Sequence, residues 1–272
     1  MADSKQKAEV REPRILWYDI ETSLQTAAIF QLGGNDWIRP ENLLTERYVI
    51  SICWQWAGES KIHSVSLLDD PNRFAKDPTD DYYVLETFHK IYSQADCTVA
   101  HYGDSFDKKY VMTRMLKHGL EPLPPIPTVD TKKVCKQQFY FNSNSLDYVG
   151  KFLGLGGKIN TPSGLWLTIL KEGNNKEAVK AIKTMVEYNK RDVALLRDVY
   201  NKLLPYIPNR LNRELFGQTV GCPTCGSNKV QSRGFQHAIT RTYRRFQCQG
   251  KCKGWFRILK TDKGSSTKHR VL

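Results

Sequence analysis

Apolar and polar positions along this chain follow two different periods, and the changes of period mark out its elements. Residues 15–22 are apolar, β-branched and aromatic, with Pro13 before them and Ser23 after, which predicts a strand. Runs at 47–56 and 61–68 have the same character and are joined by Ala57, Gly58, Glu59 and Ser60; they predict a hairpin. The spacing becomes helical over 82–94, extended over 98–102, and helical again over 106–118, where Phe106, Tyr110, Val111, Met115 and Leu116 form a stripe. From Lys132 onward the chain reads as mostly helix. It ends in one long segment at about 177–204, striped by Ile182, Met185, Val193, Leu196, Tyr200 and Leu203 and closed by Pro205 and Pro208. Early strands followed by alternating elements predict a mixed α/β sheet, and roughly 200 residues can bury one sizeable core.

Acidic residues interrupt this pattern at three places. Asp19 and Glu21 lie in the otherwise apolar first strand. The period of two puts them on one face, where two carboxylates repel each other unless a cation lies between them. An Asp-x-Glu pair alone is commonplace, but an unpaired charge in an apolar strand is expensive. Asp107 falls in the first turn of a helix just after a strand, a place where the helix dipole alone would favour it; Asp104 and Ser105 are candidate caps for the same helix. Tyr188 and Asp192 are four apart on the long helix and share a face, and Leu195 and Val199 continue that face inward. Such a pair also occurs as an ordinary hydrogen bond. Four carboxylates and a phenol on separate elements form the set that a phosphodiester-cleaving site for two divalent cations needs.

The segments around Asp19 and Glu21, around Phe106 and Asp107, and from Tyr188 to Asp192 resemble the motifs of the DEDD superfamily of 3′–5′ exonucleases, in the subgroup with Tyr in the third motif. The resemblance is nearest to the proofreading domain of B-family DNA polymerases and its stand-alone relatives. It spans residues 14–204, including Asp130, Thr131 and the stretch from Ser143 to Tyr148. It implies an RNase H-like fold, a mixed five-stranded sheet with flanking helices. It further implies that Asp19, Glu21 and Asp192 hold one Mg²⁺ or Mn²⁺ ion, that Asp19 with Asp107 holds a second, and that Tyr188 hydrogen-bonds the attacking water. Relatives often have Asn after the His of the second motif, whereas here His101 is followed by Tyr102. That departure touches substrate contacts, for which His101, Tyr102 and Phe106 are the candidates, and leaves the metal ligands intact.

Charge and cysteine separate the C-terminal part from the rest. The chain has a formal charge of +13, and residues 217–272 contribute twelve Lys or Arg against Asp262 alone, leaving +2 for residues 1–216. A near-neutral body with a strongly basic appendage points to a polyanionic partner. Four of the seven cysteines, Cys222, Cys225, Cys248 and Cys252, lie in the appendage. Cys222, Cys225 and Gly226 read as a zinc knuckle; the second pair has one extra intervening residue, which Gly250 is expected to absorb. Without a metal, this short segment has no means of folding. It resembles the zinc ribbons of phage enzymes and transposases. Arg241, Tyr243, Arg244, Arg245, Trp255 and Arg257 mix cations with aromatics, as suits backbone charge plus base stacking. Cys53, Cys97 and Cys135 read as core thiols, and His237 as a spare ligand that four thiolates make unnecessary.

The expected organisation is a charged tail over 1–13, a nuclease body over 14–204, a linker over 205–219, a zinc ribbon over 220–260 and a basic tail over 261–272. Gly154, Gly156, Gly157 and Lys158 mimic a phosphate loop, but Ile159 replaces the Ser or Thr such a loop needs, so a helix-ending turn is expected. Phe139, Tyr140 and Phe141 suit core packing better than base stacking. No apolar run approaches the ~20 residues of a membrane span, and no signal peptide is visible. The reading is therefore a cytoplasmic protein, of a prokaryote or encoded by a phage acting there. It would be a DNA 3′–5′ exonuclease with two catalytic Mg²⁺ or Mn²⁺ ions and one structural Zn²⁺, engaging single-stranded 3′ ends. A polymerase or the replication and repair machinery would be its protein partner in trans. RNA trimming by the same site, or a catalytically silent recruitment protein, are the alternatives.

Overall fold

The computed structural model describes residues 11–29, 38–157, 164–208, 211–216, 221–260 and 269–271. The expected N-terminal tail lies outside these residues up to residue 10, and the expected basic tail does so apart from 269–271. The strands are β1 (Ile15–Thr22), β2 (Thr26–Ala27), β3 (Leu43–Thr45), β4 (Val49–Trp56), β5 (His63–Ser66), β6 (Cys97–Ala100) and β7 (Thr128–Asp130), followed in the appendage by β8 (Val230–His237), β9 (Thr242–Cys248), β10 (Trp255–Leu259) and β11 (His269–Val271). The α-helices are α1 (Pro71–Lys76), α2 (Tyr82–Tyr92), α3 (Asp107–Lys117), α4 (Thr131–Gln138), α5 (Leu146–Phe152), α6 (Leu165–Glu172) and α7 (Lys176–Leu203).

A five-stranded sheet in the order β5-β4-β1-β6-β7 forms the body. The β4–β5 hairpin pairs antiparallel with itself and with β1, while β6 and β7 run parallel to β1. This is the mixed sheet that the hydrophobic pattern predicts. The period of two along β1 divides the core. Leu16, Tyr18 and Ile20 pack with Phe88, Tyr92, Val111 and Met115 of α2 and α3. Trp17 packs with Val99, Leu196, Val199 and Tyr200 towards α7. Every residue of β4 is buried, as a central strand covered on both faces requires.

The α7 stripe is as the spacing predicts: Ile182, Met185, Val193, Leu196, Tyr200 and Leu203 are all buried, as are Leu195 and Val199. The Asn175 side chain starts α7 by accepting from the Glu177 and Ala178 amides. The α3 stripe differs from the expected one. Leu116 is 81% exposed, and the place beside Met115 on the buried face is taken by Arg114. Burial of a guanidinium there is possible because Asp81, fully buried, accepts two hydrogen bonds from it, a third from His118 and a fourth from the Val49 amide. Neither Asp104 nor Ser105 caps α3. Phe106 is the N-cap and makes no side-chain cap hydrogen bond, while Asp104 holds the Thr128 hydroxyl and Lys133. The turn ending α5 runs through Gly154 and Gly156, both at positive φ; Lys158 and Ile159 lie outside the described residues. Phe139 and Phe141 pack into the core, but Tyr140 is fully exposed.

The appendage is a four-stranded antiparallel sheet ordered β11-β10-β9-β8. It is docked on the body. The Arg213 amide donates to the Pro223 carbonyl at 2.7 Å and its Nε to the Thr224 carbonyl at 3.1 Å. Leu204 at the end of α7 packs against the cysteine core.

Candidate active site

Three of the carboxylates identified in the sequence converge. Ligand atoms of Asp19, Glu21 and Asp192 all lie within 4.8 Å of one another. Two come from alternate positions of β1 and the third from α7, which packs on β1 and β4. At an effective dielectric constant of ~20, each such pair of charges would repel by at least about 3.5 kcal/mol, and Asp192 is only 1% exposed. Asp107, buried at the start of α3, joins them through the backbone: the Ile20 amide, between the two acidic positions of β1, donates to its Oδ1 at 3.3 Å. Tyr188 lies one turn before Asp192 and is partly buried against the core.

One member of this site was not apparent from the sequence. Asn189, fully buried, donates from Nδ2 to Asp19 Oδ2 at 2.7 Å. Its Oδ1 is buried with no hydrogen-bond partner among the described residues. The only sequence signal was its place beside Tyr188 and three before Asp192 on an inward face. On the opposite face of β1, burial first, and then the Asp107 charge, push the Tyr18 phenol well above its ordinary pKa. Burial likewise raises the Cys53 thiol, next to Asp19 in the strand pairing. Cys97 is pushed up to about 12 and Cys135 to about 11, both by burial, which leaves all three as inert core thiols.

The rim is formed by loops at the carboxyl ends of the parallel strands β6 and β7. His101 is engaged at both ring nitrogens, by the Thr131 hydroxyl and the Asn144 carbonyl, each at 2.9 Å, so its ring ties two loops together. Phe106 stacks on Tyr110 with 5.8 Å between centroids and packs on the core. Tyr102 is exposed. The donors facing one another at Asp19, Glu21 and Asp192 are carboxylate oxygens, which suit hard divalent cations such as Mg²⁺ and Mn²⁺.

In the appendage, Cys222, Cys225, Cys248 and Cys252 form a second group. The Cys222–Cys252 and Cys225–Cys248 sulfur distances are 3.5 and 3.7 Å, close to the ~3.8 Å edge of a tetrahedron with 2.3 Å Zn–S bonds. The four sulfurs therefore fit a structural zinc. Hydrogen bonding within the cluster, first with Cys222 and then with Cys252, holds the Cys225 thiol far below its usual pKa, while Cys225 raises Cys222 and Cys222 chiefly raises Cys252. The knuckle turns as expected, with the Gly226 amide on the Cys222 carbonyl. In the second pair, the positive φ falls on Lys253 and not on Gly250. Gly250 is needed for space instead, because a Cβ there would stand 2.4 Å from Ser227 Oγ. His237 lies outside the group, bonded to Thr242 at the far end of β8.

The aromatic and basic residues of the appendage separate by face. Tyr243, Arg245, Trp255 and Arg257 share one face of the β9–β10 pair. Arg244 alternates to the other, with Phe246 and Phe256 stacked beside it. Arg257 stacks on Tyr243 with the guanidinium 4.2 Å from the ring centroid, and Tyr243 is thereby buried. Arg241 is exposed at the start of the hairpin.

A sequence profile of the RNase H superfamily matches residues 46–204, more than half of the chain. The chain belongs to the RNase H superfamily. The matched region of this superfamily member contains Asp107, Tyr188 and Asp192, and β1 with Asp19 and Glu21 precedes it. Among solved structures, the chain is similar to the family B DNA polymerase of the hyperthermophilic archaeon Pyrobaculum calidifontis, with a TM-score of 0.51 and 17% identity over 79% of this chain. The likeness covers 26% of that polymerase, so the two share a fold over one portion of a much longer protein. No curated protein matches the chain. Among the described residues, no helix is long and apolar enough to cross a membrane.

Proposed function

We propose that this chain is a metal-dependent 3′–5′ exonuclease acting on DNA, with the cysteine module as a zinc ribbon that holds nucleic acid. The observation that supports this reading most directly is the convergence of Asp19, Glu21 and Asp192 within 4.8 Å, inside a superfamily fold shared with part of a DNA polymerase. Asp19, Glu21, Asp192 and Asp107 would hold two Mg²⁺ or Mn²⁺ ions, which would supply positive charge against the phosphate, acidify water and stabilise the leaving 3′ oxygen.

The chain's own groups do the positioning. Asn189 fixes the orientation of Asp19 through its 2.7 Å hydrogen bond, and the Ile20 amide fixes Asp107. Tyr188 orients the attacking water; a phenol with an ordinary pKa near ~10 is a poor base at neutral pH. Hydrolysis places the oxygen of water on phosphorus and a proton on the departing 3′ oxygen. Each cycle releases a nucleoside 5′-monophosphate and leaves a strand one residue shorter. In the ribbon, Arg245, Arg257, Arg241 and Arg244 would neutralise phosphates, and Trp255 would offer a ring to bases.

The test is digestion of 5′-labelled DNA and RNA, single- and double-stranded, by the full chain with Mg²⁺ or Mn²⁺. Successive shortening of DNA from the 3′ end is expected for the wild type, and none for Asp19→Asn or Asp192→Asn. A wild type that leaves every strand intact, or an Asp192→Asn variant as fast as wild type, overturns the reading. Shortening of RNA alone would reassign the substrate.

A further inference from the structure

Tyr102 combines three features found together at no other described residue. It is one of two non-glycine residues at positive φ among the described residues, at 73°. A bulky side chain in that region costs on the order of 1–3 kcal/mol and persists only where its surroundings enforce it. Asp130 enforces it here: its Oδ1 accepts from the Tyr102 amide at 2.9 Å and also from the Lys132 and Lys133 amides that begin α4. Second, the strained turn does not bury the ring, which is 43% exposed. Third, the Lys132 ammonium lies over the ring, 3.9 Å from its centroid.

The position of this residue gives those features a use. Tyr102 follows β6 by two residues, and its carbonyl accepts from the Ser105 and Phe106 amides in the turn that delivers Asp107 to the carboxylate group. Ligands of open parallel sheets bind just beyond the carboxyl ends of the strands, and Tyr102 stands at that edge. An exposed ring with a cation on it presents stacking area and positive charge together. A nucleotide presents the complement, a π-face beside a phosphate.

We propose that Tyr102, backed by Lys132, is a stacking platform for one of the last two nucleobases of the strand whose 3′ end enters the carboxylate site. This rests on the exonuclease reading and adds to it the residue on which a base of the unpaired 3′ end would stack. Base–aromatic stacking is worth ~1–3 kcal/mol, which corresponds to roughly 5- to 150-fold in affinity.

Two measurements on the full chain separate this from the parent reading. In the first, single strands with 2-aminopurine at the last or the penultimate position are bound in Ca²⁺. Quenching is expected at one of the two positions with wild-type protein, retained in Tyr102→Phe and lost in Tyr102→Gly. No quenching at either position, or quenching unchanged in Tyr102→Gly, overturns the platform whether or not the protein cleaves. In the second, cleavage of normal strands is compared with strands abasic at the quenched position. Wild type and Tyr102→Phe should show a KM higher by about 5-fold or more on the abasic strand, and Tyr102→Gly should lose that difference, its KM for normal DNA having risen to match. Glycine also relieves the positive φ, so the Tm of Tyr102→Gly should equal or exceed that of wild type. A KM for normal DNA unchanged in Tyr102→Gly overturns the proposal, as does an abasic penalty that persists in it. A protein that quenches through Tyr102 but cleaves nothing retains the platform and refutes the exonuclease.

Discussion

A buried amide does two jobs at the centre of this protein. Asn189 holds one oxygen of Asp19, while its own buried Oδ1 has no hydrogen-bond partner among the described residues; a buried polar atom left unsatisfied costs about 1–3 kcal/mol. Partners of metal ligands typically matter by 10- to 100-fold. Asn189→Ala should therefore weaken Mg²⁺ binding in calorimetry by roughly that factor, and unchanged affinity would show that Asp19 needs no support. Tyr188→Phe should behave in the opposite way, slowing hydrolysis by roughly 10²-fold or less with metal affinity nearly intact. Residues whose chemistry lies in local spacing were legible from the sequence alone: Asp19 and Glu21 through the period of two, Tyr188 and Asp192 through one helical turn. Asn189 was not, because its partner lies 170 positions away and no local period connects them.

At the scale of elements, buried charge and cross-strand charge pull in different directions. Asp81 joins the start of β4 to α3 with the side chains of Asp81 and Arg114 0% and 6% exposed. Removing one partner of such a pair leaves the other charge uncompensated. Asp81→Ala should lower unfolding free energy by about 3–5 kcal/mol in urea titration; a loss below ~1 kcal/mol would mean that water replaces the carboxylate. On the ribbon, Arg245 and Arg257 face each other across β9 and β10, a like-charge pairing that destabilises a sheet. Arg270 occupies the next register position on β11, so three arginine positions line up across three strands. Arg257→Gln should leave the ribbon as stable or more so, while reducing the salt slope of DNA binding by about 0.7 per single-strand phosphate released. An unchanged slope would remove Arg257 from the interface. Elements with strong periods, β1, β4, β5 and α7, were readable in advance. Strand β7, only three residues after Pro122, Pro124, Pro125 and Pro127, was hidden in what reads as irregular chain. The exposure of Leu116 follows from an ion pair that no apolar stripe reveals.

For the molecule as a whole, two clusters of donor atoms of opposite softness sit in separate cores among the described residues, carboxylates in the body and thiols in the appendage. The ribbon's own core is Phe256 with the four cysteines and little else, too small to hold a fold without a metal. Purified protein should contain one zinc per chain by elemental analysis, retained through dialysis against a mild chelator. Cys248→Ser should lose that zinc together with most DNA affinity, while Mg²⁺ binding in the body persists. Zinc-free native protein, or DNA binding untouched in Cys248→Ser, would refute the assignment.

Arg213 joins these two halves through main-chain and side-chain bonds to Pro223 and Thr224, and it also pairs with Glu12, just ahead of β1. If the ribbon holds nucleic acid as proposed, a strand on it would be tied to the body through these bonds and not on a slack leash. When one nucleotide departs, the new terminus is already local, and advancing by one step is faster than letting go. Degradation should then be processive at low salt, running each strand to a short limit before starting another, and become distributive as salt loosens the grip.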